Sequence, residues 1–224
     1  MKKRIKLADR LLPDYLKGEE IMNMITHIVG GGLGIIVLLF CVLKAIRTED
    51  ISKIFCSCVY GCSMITLYTM SSVYHGLRPG TAKKVLQIID HCTIYLLIAG
   101  TYTPIVVCAI APIYPVLGWG LLIAEWGLAA LAAALTAIDL HNYRVFSMIC
   151  YILMGWAIIF FLPQAITALT APGFWLTFVG GIAYTIGAIL YGIGAKRRWM
   201  HSVFHIFVVL GSLLQFFAIL FYVI

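Results

Sequence analysis

The chain has 224 residues, of which 62% are hydrophobic and 11% charged, with a mean hydropathy of +1.01. One water-soluble core cannot bury that much apolar surface, so the composition excludes a soluble globular protein and specifies a polytopic, all-α membrane protein. The net charge of +7, from sixteen Lys and Arg against nine Asp and Glu, then acts as a topology signal with some attraction for anionic lipid, and it needs no nucleic-acid partner.

In chain order, residues 1–19 form a basic segment in which Leu7, Leu11, Leu12 and Leu16 among lysines can make a short interfacial helix interrupted by Pro13, or a disordered tail. The apolar run that follows is longer than a signal-peptide core and lacks a small-residue cleavage site, so it is expected to stay attached as an anchor. Residues 20–224 then read as one membrane domain, a seven-transmembrane helix bundle. Its apolar runs are Met24 to Ile46, Ile54 to Tyr74, Val85 to Ile110, Val116 to Ile138, Val145 to Leu162, Gly173 to Gly194, and His201 to Ile224. Each is about the 20 residues that cross a hydrocarbon core.

Positively charged flanks stay in the cytoplasm. Thirteen of the sixteen basic residues fall on one side: Lys2, Lys3, Arg4, Lys6, Arg10, Lys17, Arg78, Lys83, Lys84, Arg144, Lys196, Arg197 and Arg198. Lys44, Arg47 and Lys53 fall on the other. The amino terminus is therefore predicted cytoplasmic and the carboxyl terminus extracytoplasmic.

That orientation gathers the chemically capable residues near the cytoplasmic face: Glu20, Asn23 and His27 in the first span, Ser71 and His75 in the second, Asp90 and His91 in the third, His201 and His205 in the seventh. Ionisable groups inside a membrane are costly and mark function. Residues four apart share a helix face, which pairs His201 with His205, Ser71 with His75, and Asn23 with His27. Two histidines at this spacing can ligate one zinc, and a third from another helix, His75, leaves the fourth position for water. Zinc brings the pKa of that water to about 7, and Asp90 is the carboxylate placed to take or orient its proton. The same histidines also fit hydrogen bonding across helices. His91 adjoins Asp90 but projects about 100 degrees away, so only one of the two is expected to face the site.

The set Glu20-x-x-Asn23-x-x-Thr26-His27, Ser71-x-x-x-His75, Asp90 leading into Ile98-Ala-Gly-Thr-Tyr-Thr-Pro104, and His201-x-x-x-His205 resembles the hemolysin III branch of the progestin and adiponectin receptor family. That family belongs to a wider group of seven-helix membrane hydrolases that includes alkaline ceramidases. The resemblance covers nearly the whole chain from Glu20 onward. It implies that His75, His201 and His205 are zinc ligands, that Asp90 hydrogen-bonds the zinc-bound water, and that Ser71 contacts the water or a substrate carbonyl. Glu20, Asn23 and His27 belong to the same pattern and read as residues that hold the ligands, or as a hydrogen-bonded helix start with Asn23 near its cap. The chain lacks the long amino-terminal domain of the eukaryotic receptors, which implies a bacterial plasma-membrane protein and argues against hormone reception. The function implied is zinc-dependent hydrolysis of a membrane-lipid amide or ester. The alternative is a non-enzymatic lipid sensor, membrane regulator or cytolysin with a structural zinc.

The other features carry less. Glu125 sits mid-span, either functional or a protonated acid bonded to a neighbouring helix. Gly30 and Gly34 suit close helix packing. Of the seven cysteines, which read as free buried thiols, only Cys92 lies near enough to rival the histidines as a ligand. With no phosphate loop, dinucleotide fingerprint or nucleophile elbow, the sequence gives no support for nucleotide binding or serine hydrolysis. No clear pair of broken half-helices suggests a transporter.

Overall fold

The computed structural model describes residues 7–194 and 197–224. Lys2, Lys3, Arg4, Lys6 and Lys196, part of the expected cytoplasmic charge, lie outside them. The described residues are almost entirely helical: α1 (Lys17–Ile46), α2 (Ile51–Gly76), α3 (Thr81–Pro104), α4 (Pro115–Ile138), α5 (Arg144–Gly155), α6 (Leu162–Gly194) and α7 (Met200–Tyr222). Among the described residues before α1, only the single turn Leu7–Asp9 is helical. Successive helices pack on one another from α1 to α4, α5 bridges α3 and α4 to α6, and α6 packs on α7. The contact of α7 with α1 closes the ring.

Local chemistry sets the helix limits. The α1 helix starts well before the expected Met24 because Glu19 folds back to accept the Leu16 amide at 2.7 Å, while the Glu20 amide donates to the Leu16 carbonyl at 3.0 Å. Asp50 caps α2 by accepting the Ser52 amide at 2.8 Å. Pro104, which has no amide hydrogen, ends the regular part of α3, and Ile105–Ile110 continue as a π-helical turn.

Among the described residues, six segments are long and apolar enough to cross a membrane: α1, α2, Thr81–Ile110, α4, the 51-residue stretch Arg144–Gly194, and α7. The fifth and sixth of the seven expected spans run together in that stretch because no polar connector separates them. It is interrupted twice: a 3-10 turn over Ala157–Phe161 separates α5 from α6, and Thr170, with φ of 60° and ψ of 163°, leaves the helical region two residues before Pro172.

The helices are polar inward and apolar outward. On α1, Asn23, His27, Gly30 and Gly34 are buried, while Ile28, Val29, Ile36 and Phe40 are exposed. Water would reverse that distribution; a hydrocarbon surround stabilises it. Gly30 and Gly34 both face α2: a Cβ at Gly30 would overlap the buried Tyr68 ring, and one at Gly34 would press on the Ile65 backbone. Their use is therefore internal packing. The basic residues at the other end of the bundle also have partners, since Lys44 Nζ donates to the Leu220 carbonyl at 2.5 Å and Lys53 Nζ to the Ile224 carbonyl at 3.1 Å. Both cations offset the partial negative charge at the end of α7.

A methyl group at Gly61 would stand 2.8 Å from the Leu38 Cα, a backbone atom, whereas one at Gly32 would meet nothing within 4 Å. Thermal unfolding in detergent should show Gly61→Ala destabilised by about 1–3 kcal/mol. Gly32→Ala should be neutral or slightly stabilised, consistent with better helix propensity.

Candidate metal centre

Two helices supply the histidines. His75 ends α2, while His201 and His205 occupy successive turns at the start of α7. All three are buried, and one ring nitrogen from each lies within 4.8 Å of the others.

The outer nitrogens are held by α1. His75 Nδ1 lies 2.6 Å from Glu20 Oε2, which fixes the imidazole proton on Nδ1 and makes the 3.4 Å approach of Asn23 Nδ2 a simple packing contact. His75 Nε2 then carries a lone pair and finds no hydrogen-bond partner among the described residues. His205 Nδ1 faces the Asn23 carbonyl at 3.3 Å and the Thr26 hydroxyl oxygen at 3.5 Å. The Thr26 hydrogen is already directed at the Met22 or Asn23 carbonyl, so His205 is the donor and its Nε2 also carries a lone pair. That Nε2 lies 3.1 Å from His201 Nε2.

These donors fit zinc. Two nitrogens about 2.0–2.1 Å from one tetrahedral ion stand roughly 3.3 Å apart, close to the His201–His205 separation, and three imidazoles form a ligand set that zinc accepts. The carboxylate on His75 supplies the supporting contact that metal-ligating histidines normally have.

The remaining predicted residues surround this group. Asn23 accepts from the Ser202 hydroxyl at 2.6 Å and so ties α1 to α7; it lies well inside α1 and does not cap it. The His27 ring stacks on His205 with centroids 3.7 Å apart and an interplanar angle of 14°. Both of its nitrogens lack partners among the described residues. Ser71 and Asp90 line one cavity of about 180 Å³ with His27, His201 and His205. Asp90 keeps 16% of its side chain exposed. His91 lines the cavity too, contrary to the expectation that only one of the pair would, because its Nδ1 turns back to the Gln87 carbonyl at 2.8 Å and its Nε2 reaches the Tyr191 hydroxyl at 3.2 Å.

Two residues read from the sequence as possible participants lie elsewhere. Cys92 points its thiol at the Ala133 carbonyl of α4, 3.5 Å away. Glu125 is buried in α4, off the cavity wall, and one of its oxygens lacks a partner among the described residues.

Three contributors went unnoticed in the sequence. Lys83, only 3% exposed, donates to Glu20 Oε1 at 2.7 Å and to the Leu77 carbonyl at 2.9 Å. It reads in sequence as one more cytoplasmic cation, and only the fold turns it inward onto the carboxylate that holds His75. Tyr15 stacks on His201 with centroids 4.9 Å apart at 23°, and burial raises its phenol pKa further above the ordinary value. Glu19 accepts the Trp199 amide at 2.5 Å, which stabilises the left-handed turn (φ 67°) that starts α7. The Glu–Glu pair before a buried Asn was the available signal, but helix spacing alone does not say which of two adjacent carboxylates turns inward.

The family model for haemolysin-III-related proteins matches residues 15–216. Hemolysin-3 of Bacillus cereus is 39% identical over 206 residues, covering 92% of each chain. A hemolysin-3 homolog of Bacillus subtilis is 37% identical over 204 residues, covering 91% of this chain and 94% of the other. Similarity extends more weakly to the human monocyte to macrophage differentiation factor, 23% identical over 171 residues, which are 72% of this chain and 67% of that protein. With nine-tenths of its residues inside that family model and two relatives aligned nearly end to end, this multi-pass membrane protein belongs to the haemolysin-III-related family.

Proposed function

We propose that the chain is a zinc-dependent hydrolase of a bacterial plasma membrane, cleaving an amide or ester bond in a membrane lipid. The observation that carries this reading is the grouping of three imidazoles within 4.8 Å, two of them, His201 and His205, on the wall of a mostly apolar cavity that also holds a carboxylate, Asp90, and a hydroxyl, Ser71.

His75, His201 and His205 would hold zinc. The ion, when bound, supplies a Lewis acid that polarises a carbonyl and makes a water acidic near neutral pH. Glu20 and the Asn23 carbonyl keep both imidazole protons on Nδ1, so His75 and His205 would offer Nε2 to the ion. Lys83 neutralises Glu20 and keeps that carboxylate ionised in a setting that disfavours bare charge. Asp90 accepts a proton from the attacking water and returns it to the leaving group, and the Ser71 hydroxyl donates to the substrate carbonyl. The apolar walls, among them Ile94, Leu97, Ile98 and Val208, suit a lipid chain and keep bulk water away from the reacting bond.

In the same reading the chain crosses the membrane seven times, with the amino terminus cytoplasmic. The 51 residues of Arg144–Gly194 exceed twice the roughly 20 needed for one crossing, and the break at Thr170 divides them. The described basic residues on that side, Arg10, Lys17, Arg78, Lys83, Lys84, Arg144, Arg197 and Arg198, support a cytoplasmic site.

Metal analysis of detergent-purified protein should find about one zinc per chain, lost in a His75, His201, His205 triple alanine variant; a well-folded wild type without metal would overturn the reading. Asp90→Asn should retain zinc yet lose about 10²–10⁴-fold in lipid hydrolysis, and normal turnover in that variant would remove Asp90 from the mechanism. Glu20→Gln should weaken zinc binding by about 10–100-fold in a chelator competition, the usual cost of losing a partner behind a ligand. A periplasm-dependent phosphatase fused after Ile224 should be active, and an inactive fusion beside an active amino-terminal one would reverse the topology.

A further inference from the structure

The cavity that begins at the histidines does not end in a purely apolar wall. His201, His205, Val208 and Gln215 all line it, one α7 stripe after another, and Thr101, Tyr102 and Thr177 complete the far end. Gln215 is 6% exposed. Its amide orientation is set by its partner, because Nε2 donates to the Thr177 carbonyl at 2.9 Å and turning the amide over would put two acceptors face to face. Oε1 is thereby left without a partner among the described residues.

The neighbouring hydroxyls cannot supply the missing hydrogen. Thr101 donates to the Leu97 carbonyl at 2.7 Å, Thr177 to the Gly173 carbonyl at 3.0 Å, and Tyr102 to the Gly155 carbonyl at 3.2 Å. This end of the cavity therefore offers acceptors and withholds donors. A buried acceptor with no donor is costly at membrane depth, so the site selects an occupant that carries a donor. A cation does not suit it, since no carboxylate lines this end. A neutral hydroxyl does.

We propose that the inner end of the cavity is a second binding subsite, in which Gln215 Oε1 accepts a hydrogen bond from a hydroxyl carried partway along the apolar chain of a bound lipid. Ten helical residues separate Gln215 from His205, about 15 Å along α7, so a lipid whose reactive group lies at the histidines would bring mid-chain atoms to Gln215. The subsite rests on the reading of the cavity as a lipid site, although it requires neither metal nor turnover. The same hydrogen bond can come from the lipid hydroxyl or from water, and the two sources predict different selectivity.

The test is equilibrium binding to the purified full chain in detergent, read by native mass spectrometry. The probes are a long-chain saturated fatty acid and the same acid with one hydroxyl near the middle of its chain. Wild type should bind the hydroxylated acid about tenfold more tightly, the effect of one hydrogen bond made instead of left unmade. Gln215→Leu and the length-matched Gln215→Met should bind the two acids equally or prefer the plain one, and either variant suffices if the other fails to fold. Equal binding of both acids by wild type would overturn the subsite and assign Oε1 to water, while leaving the lipid cavity intact. A preference that survives both substitutions would overturn it as well. Failure of both acids to bind would remove the lipid reading of the cavity and the subsite with it.

Discussion

The first helix must meet the last for this protein to have a site. Asn23 stands at that seam: its side chain takes the Ser202 hydrogen and its backbone carbonyl faces His205, contacts that join positions 179 and 182 residues apart in sequence. In lipid such hydrogen bonds supply specificity that hydrophobic contact cannot, because the surrounding chains are as apolar as the helices themselves. Glu19 makes a parallel tie to the Trp199 amide. The ring of helices closes where the polar residues are, and the histidines of α7 reach His75 of α2 because α1 lies between them with Glu20, Asn23 and His27 turned inward.

This inversion of ordinary protein patterning explains why the site contains paired charges. Lys83, buried, and Glu20, partly buried, form an ion pair in which Glu20 also holds His75. Removing the lysine would leave a carboxylate uncompensated in a poorly solvated place. The pair thus does more than neutralise itself: it sets the direction of the His75 proton, and through it the direction of the lone pair on the opposite nitrogen.

Much of this was legible beforehand because hydrophobicity and helical spacing are strong signals in a membrane chain. Composition specified helices, and His201, His205, Ser71 and His75 were grouped by spacing and by the side of the membrane on which basic residues collect. What was not legible depended on rotation about a helix axis and on segments without periodicity. Spacing could not reveal that Lys83 turns inward while Lys84, its neighbour, is partly exposed. It gave no reason to place Tyr15 on the His201 ring, because Tyr15 precedes α1, where the chain is not helical and side-chain direction follows no fixed spacing. Helix count was blurred where the chain offers no polar punctuation, so that only the 3-10 turn at Ala157–Phe161 and one strained residue, Thr170, interrupt a long apolar stretch.

The water-facing corner of the site is built differently from the rest. Just before Tyr15, Asp14 meets Arg198 through its side chain at 3.0 Å and through its backbone carbonyl, and the two side chains are 94% and 49% exposed. An exposed pair of this kind contributes at most about 1 kcal/mol and is screened by salt. The inner walls of the cavity are held by close packing, to which ionic strength is nearly irrelevant. The histidines therefore sit between two boundaries that answer to different variables, an aqueous one tuned by salt and a hydrocarbon one tuned by the thickness and fluidity of the bilayer.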